Sequence, residues 1–281
     1  MVFFKISNMK EWLKTNKKVT RVIKDVAQLA FYLWQKGWAE RNAGNISVNL
    51  SGMIKEEFGK MDEYPLFSLN REYPTLKGGY FFVTGTGKRM RDLAENPMKN
   101  ACILKITEDG KQYNIISRNK NNLYDFRPTS ELPTHLAIHE QMVAAGSKNR
   151  AVVHTHPNEL VALTQIREFQ DEKAINRVLW GMHPEAIVFV PKGLAMVPYI
   201  LPGTESIAQA TLGRLKDSDV IMWQKHGTFA MGEDVLDAFD KIDIMAKSAQ
   251  IYFMVKQAGF EPEGLTDDQI EELKIKFHGS N

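Results

Sequence analysis

A chain of 281 residues can bury a sizeable core, as one large domain or two small ones. Its hydrophobic fraction of 43% and charged fraction of 25% are those of an ordinary soluble globular protein. Thirty-six Lys and Arg against 34 Asp and Glu leave a net charge of +2, which gives no ground for a nucleic-acid partner, and no run approaches the roughly 20 apolar residues of a membrane span.

The N-terminus, MVFFKISNMKEW, begins apolar but lacks a full signal-peptide core. Apolar positions Val22, Ile23, Val26, Leu29, Ala30 and Leu33 recur at three-to-four spacing and predict a helix over Thr20–Lys36, ended by Gly37. Strands are expected at Asn45–Asn49, Gly79–Thr84 and Ala101–Thr107, with a polar surface excursion between Ser51 and Lys77. Cys102, the single cysteine, falls in the third of these runs and reads as a small core residue. With no partner for a disulfide, the chain suits a reducing compartment, and a cytoplasmic location is expected. Glu108-Asp109-Gly110 is a hairpin turn between two strand-like runs.

Pro128-Thr129-Ser130-Glu131-Leu132-Pro133 reads as a helix start with a Ser or Thr cap, the helix running to about Ala145 and stopping at Gly146. A buried-type strand, Arg150–Val153, leads into His154-Thr155-His156-Pro157. A helix follows, then strands at Ala186–Val190 and Asp219–Trp223, and a long helix over Asp234–Ala258. Thr266 and Gln269 form a capping box for a last helix to about Phe277. This alternation predicts an α/β fold: one domain over 1–281 with a central, largely antiparallel sheet flanked by helices, and no linker that cuts it in two.

Seven histidines punctuate the chain. His154 and His156 end a strand, where alternate residues share a face, so two imidazoles can converge on one ion. A catalytic zinc site takes three protein ligands and keeps one position open, and His226, at the junction of a strand and Gly227, is the best third. The plainer alternative is two polar residues at a strand end. His135 and His139 lie one helical turn apart, but Leu136 stands where a metalloprotease helix needs Glu, so a helix face of satisfied or exposed histidines is favoured. Glu131 and Glu185 are each open to two readings, a helix-dipole or surface charge and a base at a cleft mouth. Asn42-Ala43-Gly44-Asn45 and Thr84-Gly85-Thr86-Gly87-Lys88 are turns that can aim N–H groups and hydroxyls at an anion, the second without Walker A spacing.

Taken in order, Gly37-Trp38-Ala39-Glu40-Arg41-Asn42-Ala43-Gly44-Asn45, Thr84-Gly85-Thr86-Gly87-Lys88, Pro128-Thr129-Ser130-Glu131, His154-Thr155-His156 and Lys225-His226-Gly227 resemble the successive motifs of the class II sugar-phosphate aldolases. The likeness runs from about Lys24 to Phe277 and is nearest to the branch that acts on L-rhamnulose 1-phosphate. It implies one zinc per subunit held by His154, His156 and His226, with Glu131 as the nearby acid/base. It implies a phosphate and ketose pocket of Asn42, Gly44, Asn45, Thr86, Gly87, Thr129 and Ser130. It also implies a cyclic homotetramer with active sites at subunit interfaces, Glu185 being a second acid/base from a neighbouring subunit. The expected substrate is a phosphorylated ketose, with no nucleic acid and no membrane as partner. L-rhamnulose 1-phosphate would be cleaved to dihydroxyacetone phosphate and L-lactaldehyde. An L-fuculose 1-phosphate aldolase, a ribulose-5-phosphate 4-epimerase and a non-catalytic adducin-like module are the alternatives.

Overall fold

The computed structural model describes residues 9–55, 64, 66–117 and 126–279. They group into two compact units, Met1–Val153 with Gly232–Leu236, and His154–Met231 with Asp237–Asn281. The first unit opens with helices α1 (Met9–Thr15) and α2 (Lys17–Gln35), then strands β1 (Asn45–Asn49), β2 (Leu66–Ser68) and β3 (Tyr80–Thr84). Two short helices, α3 (Met90–Glu95) and α4 (Pro97–Asn100), lead to β4 (Ala101–Ile106), β5 (Gln112–Ile115), helix α5 (Leu132–Ala144) and β6 (Ala151–Thr155), whose last two residues begin the second unit. There follow α6 (Asn158–Leu163), α7 (Glu172–Met182), α8 (Pro184–Phe189), β7 (Ala195–Val197), α9 (Glu205–Leu212), β8 (Val220–Trp223), β9 (Gly227–Gly232), α10 (Val235–Gln257) and α11 (Asp267–His278).

Helix α2 forms because its apolar positions make one stripe: Val19, Ile23, Val26, Leu29, Ala30 and Leu33 are all buried. The Asn16 side chain caps it by accepting from the Val19 amide, and Gly37, at φ 71°, turns the chain beyond its end. The expected strands at 45–49, 79–84 and 101–107 are present within a residue at each end and pair antiparallel, Ser47 opposite Val83 and Val83 opposite Cys102. The strand order in this unit is β2-β5-β4-β3-β1. The 108–110 turn closes the β4–β5 hairpin with Gly110 at φ 74°. In the second unit β8 pairs antiparallel with β9 and parallel with β7. The fold is thus α/β with a mixed, largely antiparallel sheet and flanking helices.

Two expectations need correction. The 51–77 stretch is not all surface excursion: its described part contains β2 and a single 3-10 turn at Pro74–Leu76, and Tyr73 and Leu76 are buried. Residues 56–63 and 65 of that stretch lie outside the described residues. Ala186–Val190 is not a strand. Pro184 and Glu185 start α8 there, burying Ala186 and Ile187 and leaving Phe189 59% exposed. A short apolar run fits either element by periodicity alone, and Pro in the first turn decides for helix. Among the described residues no helix is long and apolar enough to cross a membrane.

Candidate metal centre and catalytic carboxylate

In the second unit, β6 delivers His154 and Thr155, and His156 follows directly. The β8–β9 hairpin pairs Trp223 with Gly227 and leaves Gln224, Lys225 and His226 as its loop. Lys225 sits at φ 61°, and its amide donates to the Thr164 hydroxyl at 2.9 Å, so the loop is pinned to the end of α6. The result brings one ligand nitrogen from each of His154, His156 and His226 within 4.8 Å of one another. His154 is held most firmly. Its ring stacks on Phe229 at 4.2 Å, and its Nδ1–H donates to the Thr228 carbonyl at 3.1 Å. That bond fixes the tautomer and leaves the Nε2 lone pair to face a ligand. Gly227 makes room: a Cβ there would lie 2.6 Å from both the Thr155 carbonyl and the His156 ring, and 3.0 Å from His154. Three convergent imidazoles, one oriented by a backbone carbonyl, suit a divalent ion such as zinc with one position left open.

The first unit holds Glu131 and the residues expected around the phosphate. The turn after β3 is stitched to the segment before α5: Thr129 N donates to Thr84 O at 2.8 Å, and Thr86 N donates to Arg127 O at 3.0 Å. The Thr84 hydroxyl in turn accepts from the Ile46 amide at the start of β1. Asn45, Thr84, Thr129 and Glu131 are therefore neighbours through named bonds. Asn42, Thr86, Gly87 and Ser130 are exposed around them, and Gly44 and Gly87 adopt φ 78° and 67°. Such left-handed glycines turn successive N–H groups toward one side, as an anion site requires.

Glu131 itself occupies the N-cap of α5, where a Ser or Thr was expected, and its side chain makes no capping bond. The carboxylate is buried and accepts from Asn45 Nδ2 at 2.8 Å. Its place at the N-cap still sets it in the favourable field of the α5 dipole, but burial and the Asn45 contact distinguish it from a solvated surface charge. Asn45 is 8% exposed, and its amide oxygen meets His135 Nε2. His135 and His139 are fully buried and share the Ser47 hydroxyl at 2.7 and 2.8 Å. Burial pushes both imidazoles down to about 3, so they are neutral. They are buried, hydrogen-bonded groups of the interior. Ser47 and the Thr228 carbonyl were not anticipated, nor was the room that Gly227 leaves for the ligand rings. Ser47 was legible in principle, because Asn45 and Ser47 share one face of β1 and His135 and His139 one face of α5.

Glu185 lies in the first turn of α8, its carboxylate 3.1 Å from His183 Nε2 and its side chain 51% exposed. It is not a member of the three-histidine cluster. The apolar residues around it are divided: Ala186, Ile187 and Val190 are core, Trp180 donates to the Val190 carbonyl, and Phe189 faces outward.

Comparison with known proteins adds to this geometry. The profile of the Class II Aldolase and Adducin N-terminal domain matches residues 24–253. Over 271 residues the chain is 43% identical to the rhamnulose-1-phosphate aldolase of Bacteroides thetaiotaomicron, spanning 96% of this chain and 99% of that one. It is 34% identical over 260 residues to the rhamnulose-1-phosphate aldolase of Mannheimia succiniciproducens, spanning 91% and 93%. Among solved structures, the sugar-phosphate aldolase of Thermotoga maritima superposes with a TM-score of 0.73 at 33% identity, over 88% of this chain and 100% of that one. An L-fuculose 1-phosphate aldolase, at 18% identity and a TM-score of 0.56 over 92% and 96%, shares the fold. Ordered motifs, three converging histidines and a match over most of its length place the chain in the class II aldolase and adducin N-terminal domain family.

Proposed function

We propose that the chain is a zinc-dependent aldehyde-lyase that cleaves L-rhamnulose 1-phosphate, reversibly, to dihydroxyacetone phosphate and L-lactaldehyde. The observation that carries this is the convergence of His154, His156 and His226 in a chain 43% identical to a rhamnulose-1-phosphate aldolase. Retro-aldol cleavage turns a hydroxyl into an aldehyde carbonyl and moves the electrons of the broken carbon–carbon bond onto the ketose fragment. Zinc, when bound, supplies the Lewis acidity that stabilises negative charge on the ketose oxygens. His154, His156 and His226 would hold it as uncharged ligands, which would leave the ion its double charge. The Glu131 carboxylate takes the proton from the hydroxyl at the cleaved bond and returns a proton to the carbon left behind. Asn42, Gly44, Asn45, Thr86, Gly87, Thr129 and Ser130 hold the phosphate and ketose end, positioning the reacting atoms through a group that does not react. Asn45 serves Glu131 directly, and the other six supply backbone amides and hydroxyls.

The assembly belongs to the same proposal: a cytoplasmic homotetramer of single-domain subunits, one zinc in each, with Glu185 completing a neighbour's site. The test is a coupled assay for released dihydroxyacetone phosphate across L-rhamnulose, L-fuculose and other ketose 1-phosphates, with the aldehyde identified. Fastest release from L-rhamnulose 1-phosphate, with L-lactaldehyde as co-product, is expected. An epimerised pentulose phosphate with no aldehyde released would mean an epimerase instead.

A further inference from the structure

The first unit contains a buried chain of hydrogen bonds that ends on Glu131: His139 to Ser47 (2.8 Å), Ser47 to His135 (2.7 Å), His135 to Asn45, and Asn45 to Glu131 (2.8 Å). The chemistry of its end fixes its direction. An ionised carboxylate only accepts, so Asn45 presents its NH₂ to Glu131 and its carbonyl oxygen to His135. His135 Nε2 must then carry the proton, which leaves Nδ1 as an acceptor. The Ser47 hydroxyl must donate to that Nδ1, and so accepts at the same oxygen from His139 Nε2–H. His139 Nδ1 is left as a bare lone pair, and it is buried with no hydrogen-bond partner, as a chain that starts there demands. Both histidines are 0% exposed, and Phe81 packs against the His139 ring at 5.1 Å. Every member donates toward Glu131, and no alternative pattern keeps the carboxylate ionised and every close contact bonded.

We infer that Ser47, His135 and His139 are positioning residues for the reaction: a one-way relay of donors that locks the Asn45 amide and so fixes one oxygen of the Glu131 carboxylate in the orientation for proton transfer. The inference rests on Glu131 being the proton-transfer group. Without the Ser47 hydroxyl, His135 is free to take the other tautomer. Its Nε2 lone pair then faces the Asn45 oxygen, the amide turns over, and its carbonyl confronts the carboxylate.

The first experiment uses the wild-type, zinc-loaded protein labelled with ¹⁵N-histidine. The two buried imidazoles should both appear as neutral Nε2–H tautomers and stay so from about pH 5 to 9. Either one in the Nδ1–H form, or titrating in that range, overturns the relay. The second compares variants in the coupled assay. Ser47→Ala should lower kcat on the order of 10²-fold, as expected for a misplaced catalytic group, with KM and zinc content unchanged. Ser47→Thr, which keeps the hydroxyl, should recover most of it. In a Glu131→Gln background Ser47→Ala should cost nothing further. A folded Ser47→Ala protein with wild-type kcat, or losses that multiply in the double variant, overturns the inference. If Ser47→Ala does not fold, the tautomers of the wild-type protein decide. If Glu131→Gln alone turns over normally, it is the reading of Glu131 that fails, whatever the tautomers are.

Discussion

At the scale of single residues, the proposal divides metal binding and proton transfer between two clusters, and the variants should separate in the same way. His226 supplies one of three ligand nitrogens from the hairpin loop. His226→Ala should lose zinc and turnover together, and metal analysis of a fully loaded variant would refute the ligand assignment. Glu131→Gln should keep zinc, because Gln retains an oxygen for the Asn45 NH₂, while turnover falls on the order of 10²–10⁴-fold. Near-native turnover in that folded protein would remove Glu131 from the chemistry. Gly227→Ala is a subtler probe. Its Cβ would press on the Thr155 carbonyl, which is backbone and cannot yield, and on the His156 ring. A displaced ligand ring should weaken zinc binding by about 10–100-fold, the usual cost of disturbing what orients a ligand. Competition against a calibrated chelator measures it, and an unchanged affinity would mean that the hairpin has slack.

At the scale of elements, α5 carries an acid sensitivity. Its two buried histidines are held near 3 by desolvation, against 6.5 for an exposed imidazole. Below 6.5 the unfolded chain takes up protons that the folded one refuses. The stabilisation is therefore complete above that value and is lost as pH falls toward 3, at about 1.4 kcal/mol per histidine for each pH unit. Urea midpoints of metal-free protein between pH 8 and 4.5 should be level at first and then fall. A midpoint unchanged below 6.5 would contradict neutral burial. At the other end of the chain the capping box of α11 is closed in both directions: the Gln269 amide donates to the Thr266 hydroxyl, and the Thr266 amide donates to the Gln269 side-chain oxygen. Thr266→Ala should cost about 1 kcal/mol in the same measurement.

Those two elements also mark what was legible in the sequence. The α2 stripe and the strands β1, β3 and β4 follow from where apolar side chains fall, and the capping box from the three-residue spacing of Thr266 and Gln269, whose reciprocal bonds are local. The histidine triad was legible as a pair at a strand end and a third before Gly227. What was not legible came from partners remote in sequence. The buried Glu131 carboxylate is bonded by Asn45, 86 residues earlier. The helix at Pro184–Phe189 was hidden because Ala186 and Ile187 are buried side by side, so neither period stands out, and the small elements α4 and β7 are too short to carry a period at all.

At the scale of the whole molecule, the ion and the neighbouring subunit are the two additions that the proposal requires. Removing zinc with a chelator should abolish turnover and lower the unfolding temperature. Restoring it at about 100 times its Kd should return about 2.7 kcal/mol of stability, read by calorimetry. Helices α8 and α11 pack together and leave Phe189, Ile275 and Phe277 about half exposed, so the element bearing Glu185 also bears apolar surface suited to a subunit contact. Mixing Glu185→Ala with Glu131→Gln protein under conditions of subunit exchange should yield more activity than either parent. No gain despite proven exchange would place Glu185 outside the neighbour's site.

The solitary thiol adds a consequence of a different kind. Cys102 is 0% exposed, and its strand is paired on both edges. Since it is the chain's single cysteine, the natural protein carries a built-in reporter of its own breathing. A thiol reagent added under native conditions can react only during excursions in which β4 is released, so the labelling rate is proportional to the population of those openings. Cys102 belongs to the first compact unit and the three histidines to the second. If the chain unfolds as one cooperative body, labelling of Cys102 should slow in step with added zinc, and a rate indifferent to zinc would mean that the first unit opens independently of the second.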